Sequence, residues 1–331
     1  MINTRGSRRL RRPWTWLSVL MFAFALVACT DEAETPAPSV ASPAPTEASA
    51  ETSTPEPTPD PTPISIVDSS GFTFVLDSPA QRVISHSPAA TEILFAIGAG
   101  SQVVARDNFS NYPAEVSTLP EVAYSSPEPE QDLAHDPDLV ILSGRQRASV
   151  EQFRGLDIPI FFLEEPTDLA GVMGNIRIIA TLTGHEAAAE ELIAALEARL
   201  SAVSERLEAV TEGPRVFYEL TDNLHTVSPA SFIGSALSLL KVRNIAAGAE
   251  GAFPQLSSEA VVDADPEVIL MADASFVPVE SVPGRPGWSG ITAVVDGRIY
   301  PVDGDIMSRP GPRIVDGIEE LAALFYPDLF E

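Results

Sequence analysis

At 331 residues, with 47 acidic against 20 basic side chains and a net charge of −27, the chain is a poor partner for nucleic acid, whose phosphates would repel it. Its single cysteine excludes an internal disulfide, so the fold rests on its apolar core, which a chain of this size can supply. Most of the acidic groups need no role beyond a solvated surface.

Arg5, Arg8, Arg9, Arg11 and Arg12 stand before an apolar stretch from Trp14 to Val27. A basic start, a short apolar core and small residues at its end predict a secretory leader over residues 1–28. The core falls short of the roughly 20 residues that a spanning helix needs. Its end, Leu26-Val27-Ala28-Cys29, resembles the processing site of bacterial lipoproteins, which implies a lipid on Cys29. Residues 29–63 are rich in Pro, Ala, Thr, Ser and Glu and end in TPEPTPDPTP. Such a stretch buries no apolar surface and is expected to be a disordered tether, with a reach on the order of 100 Å. The expectation is an exported body anchored to the cell membrane by its lipid, in the periplasm or outside the cell.

Residues 64–166 are expected to form an α/β lobe. Val67 to Asp77 alternates as a hairpin that turns at Ser69-Ser70-Gly71. RVISHSPAATEILFAIGAG supplies a strand to Ser85 and a helix, capped by Ser87 or Thr91, that closes at Gly98-Ala99-Gly100. QVVARDN, DLVIL and PIFFLE follow as strands, and their aliphatic runs are those of buried parallel strands. Over residues 167–211, Leu192, Leu196, Leu200, Val203 and Leu207 recur at spacings of four and three. That stripe predicts one long inter-lobe helix, or two joined at Gly184.

Residues 212–331 write the first lobe again. RVFYEL is a strand from Arg215, and Ser-Pro-Ala opens a helix at Ser228 as it does at Ser87. GRIYPVD is a last strand and RIVDGIEELAALFYP a last helix. The repeat is sharpest in two stretches. Tyr124 is followed six residues on by Glu130, then by Asp136-Pro137-Asp138 and an aliphatic run. Phe253 is followed six on by Glu259, then by Asp265-Pro266-Glu267 and a similar run. The expected fold class is therefore α/β, with two similar lobes built on parallel-sheet cores, one long inter-lobe α-helix and a ligand cleft between the lobes. An acid in the first turn of a helix is explained by the helix dipole alone. The matched pair, Glu130 and Glu259, points further, to docking on a symmetric partner with one acid per lobe.

RVISHSPAATEILFAIGAG, NYP, the Glu130–Asp138 unit, FPQLSSEAVV and GRIYPVDGD…PRIVDGIEEL resemble the periplasmic cobalamin/iron–siderophore binding proteins of ABC importers. The similarity spans about Phe72 to Pro327. It implies a monomer with no cofactor of its own that captures a metal chelate between its lobes and delivers it to a permease dimer with ATPase subunits. Cobalamin or a related corrinoid is the first expectation; a ferric siderophore or heme is the alternative. The resemblance implies that Glu130 and Glu259 engage arginines of the two permease subunits. It places Tyr124 and Phe253 at two tryptophan positions of the cleft, and Asp305 and Arg309 as an acid and an arginine facing the ligand. Tyr112 matches a cleft-side tyrosine, with Phe109 close by. Both tryptophans are replaced here, and a further one by Ser143, which keeps other chelates open. Tyr124 and Phe253 still offer aromatic faces to a flat apolar ligand.

His86 ends the first strand, where it could face the cleft and touch ligand; a lone histidine more often makes an ordinary polar contact. His135, His185 and His225 lack metal-ligand spacing, so no metal site is expected. Arg145 and Arg147 follow a strand end and could hold an anionic chelate or simply lie in solvent. Trp288 is expected to pack the second lobe and Arg313 to support the last helix. No nucleophile elbow, phosphate loop or zinc-protease motif is present, so no enzyme is expected. The inter-lobe helix is expected to be stiff, with small lobe motion. A lipid-anchored sensor or interaction module is the alternative of another class, and it would not need the paired glutamates.

Overall fold

The computed structural model describes residues 63–272 and 278–330. The segments expected to be leader and tether, Cys29 included, lie outside these residues except for residue 63. Strands β1 (Ile64–Val67) and β2 (Thr73–Leu76) form the expected antiparallel hairpin. Its turn is organised by the buried Asp68 carboxylate, which accepts from the backbone N–H groups of Ser70 at 2.8 Å and Phe72 at 3.0 Å. The same carboxylate accepts from Phe162 N–H at 3.2 Å and from Arg154 at 2.7 Å, which fastens the hairpin to the first lobe.

That lobe contains β3 (Val83–Ser85), α1 (Pro88–Ala96), β4 (Val103–Asp107), β5 (Glu121–Val122), α2 (Pro129–Leu133), β6 (Leu139–Ser143), α3 (Val150–Arg154) and β7 (Ile160–Leu163). Its five strands run parallel in the order β5-β4-β3-β6-β7. β6 and β7 are buried at every position, which is why they read as unbroken aliphatic runs. α1 begins at Ser87, whose hydroxyl accepts from the N–H of Ala90, with Pro88 in the first helical position.

The inter-lobe segment holds α4 (Leu169–Thr183) and α5 (Glu186–Arg206). A single helix across 167–211 is thus divided in two. The break is Gly184, in the left-handed region at φ 76°, where a side chain is strained. α5, 21 residues long, spans about 31 Å by its rise. It buries Ile193, Leu196 and Val203, a stripe close to the one its sequence spacing indicates. No helix among the described residues is long and apolar enough to cross a membrane.

The second lobe contains β8 (Arg215–Glu219), α6 (Phe232–Leu239), β9 (Arg243–Asn244), α7 (Ser258–Ala264), β10 (Val268–Met271), α8 (Thr292–Val295), β11 (Ile299–Pro301), α9 (Gly304–Met307), α10 (Ile314–Phe325) and α11 (Pro327–Phe330). Its four strands are parallel in the order β11-β10-β8-β9. In each lobe the first strand is central, the chain steps to one side, then crosses to the other. β3, β4, β6 and β7 match β8, β9, β10 and β11, so the repeated sequence is a repeated topology. One detail differs. Ser231, not Ser228, caps α6 by accepting from Gly234 N–H at 3.0 Å, while Ser228 donates to the carbonyl of Gly251 at 2.7 Å. The backbone is tight here: a Cβ on Gly234 would stand 1.8 Å from the carbonyl oxygen of Ser228.

One apolar cluster runs from Val83 and Ile141 of the first sheet through Ile176 of α4 and Ile193 of α5 to Tyr218 and Leu270 of the second. A smaller cluster backs the far face of each sheet. Trp288 belongs to the second-lobe cluster, as expected, and its Nε1 donates to Ser258 Oγ at 2.7 Å. Arg199 on α5 ties that helix to α10 through Asp316 and Glu319, both at 2.6 Å.

Candidate functional site

Parallel sheets present their carboxyl ends on one edge, where the loops that follow gather ligand-facing groups. In the first lobe this is regular. Phe109, Tyr124, Arg145 and Glu165 are each the second residue after the end of β4, β5, β6 and β7, and all four line one cavity of about 750 Å³. The second lobe closes it with His225, Phe253, Asp305 and Arg309, together with Phe232 and Ile233 at the start of α6.

Tyr124 is placed by its backbone, which donates to Asn108 Oδ1 at 3.0 Å and accepts from Gln146 Nε2 at 3.0 Å. Gln146 in turn is held in a capping box with Ser143. The Tyr124 ring meets Phe109 edge-on, centroids 5.3 Å apart. Burial pushes its hydroxyl pKa up; Glu165 and Asp107 add to this and Arg145 opposes it. Opposite, Phe253 is 58% exposed. Its neighbours Ala252 and Pro254 accept from Ser228 N–H and Thr226 N–H, both at 2.9 Å, so a pinned loop presents the ring. Two lobes therefore set aromatic faces on one space, an arrangement suited to a large flat apolar body.

Asp305 and Arg309 line the cavity but are also bound across the lobes. Arg309 donates to Glu92 Oε1 at 3.1 Å, to Asn111 Oδ1 at 2.7 Å and to the Phe109 carbonyl at 3.1 Å. Asp305 accepts from Asn111 at 2.8 Å and pairs with Arg309 at 2.7 Å. Arg313, expected to support the last helix, stands at the N-cap of α10 but makes no side-chain capping bond there; its guanidinium joins Glu92 instead. Glu92 is a buried carboxylate in the middle of α1.

Two expected contacts fall elsewhere. His86 is fully buried, and its backbone N–H still bonds the carbonyl of Ile141 at 2.9 Å. Being held in the sheet ladder, it reaches Asp132 of α2 through Nε2 at 2.7 Å rather than the cleft. Tyr112 is absent from the cavity lining; its ring lies under the Arg313 guanidinium, 4.1 Å from the centroid. Arg147 is paired with Glu164 and sits over the Phe162 ring at 4.6 Å. The described residues contain no group of three or more His, Cys, Asp or Glu able to hold a metal ion.

The sequence alone points to neither Glu165 nor Glu92, and it weighs His225 only for metal-ligand spacing. The two-residue offset past each strand would have found Glu165. A glutamate inside the apolar run ATEILFA signals a paired buried charge, which is the mark of Glu92. Nothing local marks His225, whose Nδ1 bonds Asn223 Oδ1 at 2.7 Å.

Away from the cavity, Glu130 and Glu259 are each the second residue of a short helix, α2 and α7, and both are exposed. α2 precedes β6 as α7 precedes β10, so the two acids hold matching places in the two lobes. Glu259's own backbone N–H and the Ser257 hydroxyl hold its carboxylate below the usual range.

Several known proteins are similar to this chain. A cobalamin-binding protein of Halobacterium salinarum is 30% identical over 274 residues, 78% of this chain and 73% of its own length. An uncharacterized ABC transporter substrate-binding lipoprotein of Bacillus subtilis is 28% identical over 276 residues, 81% of this chain and 87% of its own. Among solved structures, the periplasmic heme-binding protein RhuT of Roseiflexus sp. RS-1 superposes with a TM-score of 0.68 at 27% identity, covering 76% of this chain and all of that one. The family described as periplasmic binding protein matches residues 83–306, and the chain belongs to that family.

Proposed function

We propose that this protein is the solute-binding component of an ABC importer, not an enzyme, and that it captures a metal chelate of the cobalamin type between its lobes and hands it to a permease dimer with ATPase subunits. The observation that carries this reading is the cavity of about 750 Å³ with Tyr124 and Phe109 on one wall and Phe253 on the other. Its size falls in the range of small-molecule and cofactor sites. The cobalamin-binding relative supports the ligand class, and the lipoprotein relative supports a lipid on Cys29 with the body outside the cell membrane. Glu130 and Glu259 would be the docking pair, steering orientation and association rate through charge. Heme or another iron chelate is the second reading, favoured by His225, which lines the cavity from the lobe opposite Tyr124.

The test is titration of the purified protein with cobalamin, cobinamide, hemin and ferric siderophores, followed by intrinsic fluorescence and calorimetry. Tight corrinoid binding that weakens about tenfold or more in Tyr124→Ala or Phe253→Ala supports the leading reading. Binding confined to hemin or ferric chelates moves the protein to iron uptake. Silence toward all of them overturns the chelate reading and favours a sensor or interaction module.

A further inference from the structure

Four charged side chains line the cavity: Arg145 and Glu165 from the first lobe, Asp305 and Arg309 from the second. Their commitments differ sharply. The Arg309 side chain is only 10% exposed and its nitrogens are taken by Glu92, Asn111, Asp305 and the Phe109 carbonyl. Asp305 is held by Arg309 and Asn111 in turn. Arg145 is the reverse case. It is exposed, and among the described residues it makes no hydrogen bond or ion pair. Arg147, two positions on, is by contrast claimed by Glu164.

The sheet explains where Arg145 stands. β6 and β7 pair with Ser143 opposite Leu163, so Arg145 and Glu165 leave the sheet side by side. Glu165 leans over Gly144, where a Cβ would meet its Cγ at 3.3 Å. The two do not form an ion pair. Though Glu165 is exposed, the cavity wall partly desolvates its carboxyl and raises its pKa above the usual range; Arg145 opposes and Glu164 pushes the same way. That weakens its competition for the guanidinium.

We propose that Arg145 is the residue by which the cleft recognises an anionic group on the rim of its ligand, a phosphodiester or a carboxylate, while Arg309 serves to hold the lobes together. This rests on the chelate-binding reading above. A guanidinium offers its donors as a planar fork that matches either oxyanion. With Arg309 committed to the lobe junction, no other arginine or lysine among the described lining residues is left for the task.

The test uses two matched ligand pairs against the full chain, purified in detergent. Cobalamin carries a phosphodiester that cobinamide lacks; hemin carries two propionates that its dimethyl ester masks. Loss of a charge-assisted hydrogen bond predicts that Arg145→Gln weakens the member carrying the anion about tenfold or more and leaves the partner without it unchanged. Arg145→Lys should restore part of the loss, and Arg309→Gln should lower the thermal midpoint without changing the ratio between the two members. An effect in the corrinoid pair names the phosphodiester, and an effect in the heme pair names the carboxylate. Wild-type binding that Arg145→Gln leaves untouched, or weakens equally for both members of a pair, overturns the assignment and leaves the chelate reading standing. Wild-type protein that binds none of the four overturns that reading, and this inference with it.

Discussion

Arg313 of the second lobe closes a two-pronged grip on Glu92 of the first, Nη2 at 2.6 Å from one carboxylate oxygen and Nε at 2.9 Å from the other. Arg309 adds a third donor at 3.1 Å. The Glu92 side chain is 2% exposed, so its charge is tolerable only because both arginines meet it.

Removing the acid leaves two poorly exposed guanidinium groups without their anion. Glu92→Ala should cost roughly 3–5 kcal/mol of folding stability, the range for breaking one side of a buried pair. Urea unfolding of wild type and variant checks this. A loss below about 1 kcal/mol would mean that the junction relaxes around the arginines, and that the lobes are held by the shared apolar core instead.

The aromatic walls should separate binding from folding. Phe253 is 58% exposed and presented by a loop, so Phe253→Ala should shift stability within about 0.5 kcal/mol. Its effect on chelate binding should be a loss of about tenfold, from lost ring contact. Tyr112→Ala should leave binding unchanged, because that ring lies beneath Arg313 and outside the cavity. Titration and thermal melts on the same samples read both effects.

Glu165 should make stability fall as pH rises. Glu165 is exposed at the cavity wall, yet the protein around its carboxyl partly strips it of water and holds its pKa above the usual range, so near that range the folded state holds more of the proton than the unfolded state does. The favourable contribution is complete below the ordinary glutamate value and is lost as pH climbs through the raised one. Glu165→Gln should therefore flatten that part of the stability profile and be more stable than wild type at pH 7. Melting both proteins from pH 4 to pH 8 tests the sign; parallel profiles would exclude Glu165 as the source.

The exposed acids should matter only to the partner. Glu130→Ala and Glu259→Ala should leave chelate affinity unchanged, since neither lines the cavity. Uptake by cells carrying the matching permease should fall in each single variant and about tenfold or more in the double variant. Lysine in either place should be worse than alanine, because like charges at a docking surface add repulsion. Normal uptake in the double variant would remove both from the docking role.

Much of the architecture was legible because burial writes itself into local pattern. β6, β7 and β10 are enclosed on both faces, so each is a continuous apolar run, and Gly184 announces a helix end by the conformation only glycine readily takes. The two-residue edge strands β5 and β9 carry no such pattern and were invisible. Tyr124 and Phe253 each stand at a repeated landmark, but it was the family resemblance that implied a place in the cleft for them.

His86 shows where local pattern stops deciding position. One residue past the last residue of β3 it is still bonded into the ladder and turns beneath the sheet, whereas Phe109, two past the end of β4, emerges at the edge. A period of two makes one position the difference between core and cleft. The arginines show it more fully. By sequence alone Arg145, Arg309 and Arg313 are similar cations near loops. The repeat, the lobes and the matched glutamates were determined by the order of residues along the chain. Which arginines are already taken was decided only when folding brought Glu92 against partners more than 200 positions away, because an ion pair depends on distance in space and leaves no trace in spacing.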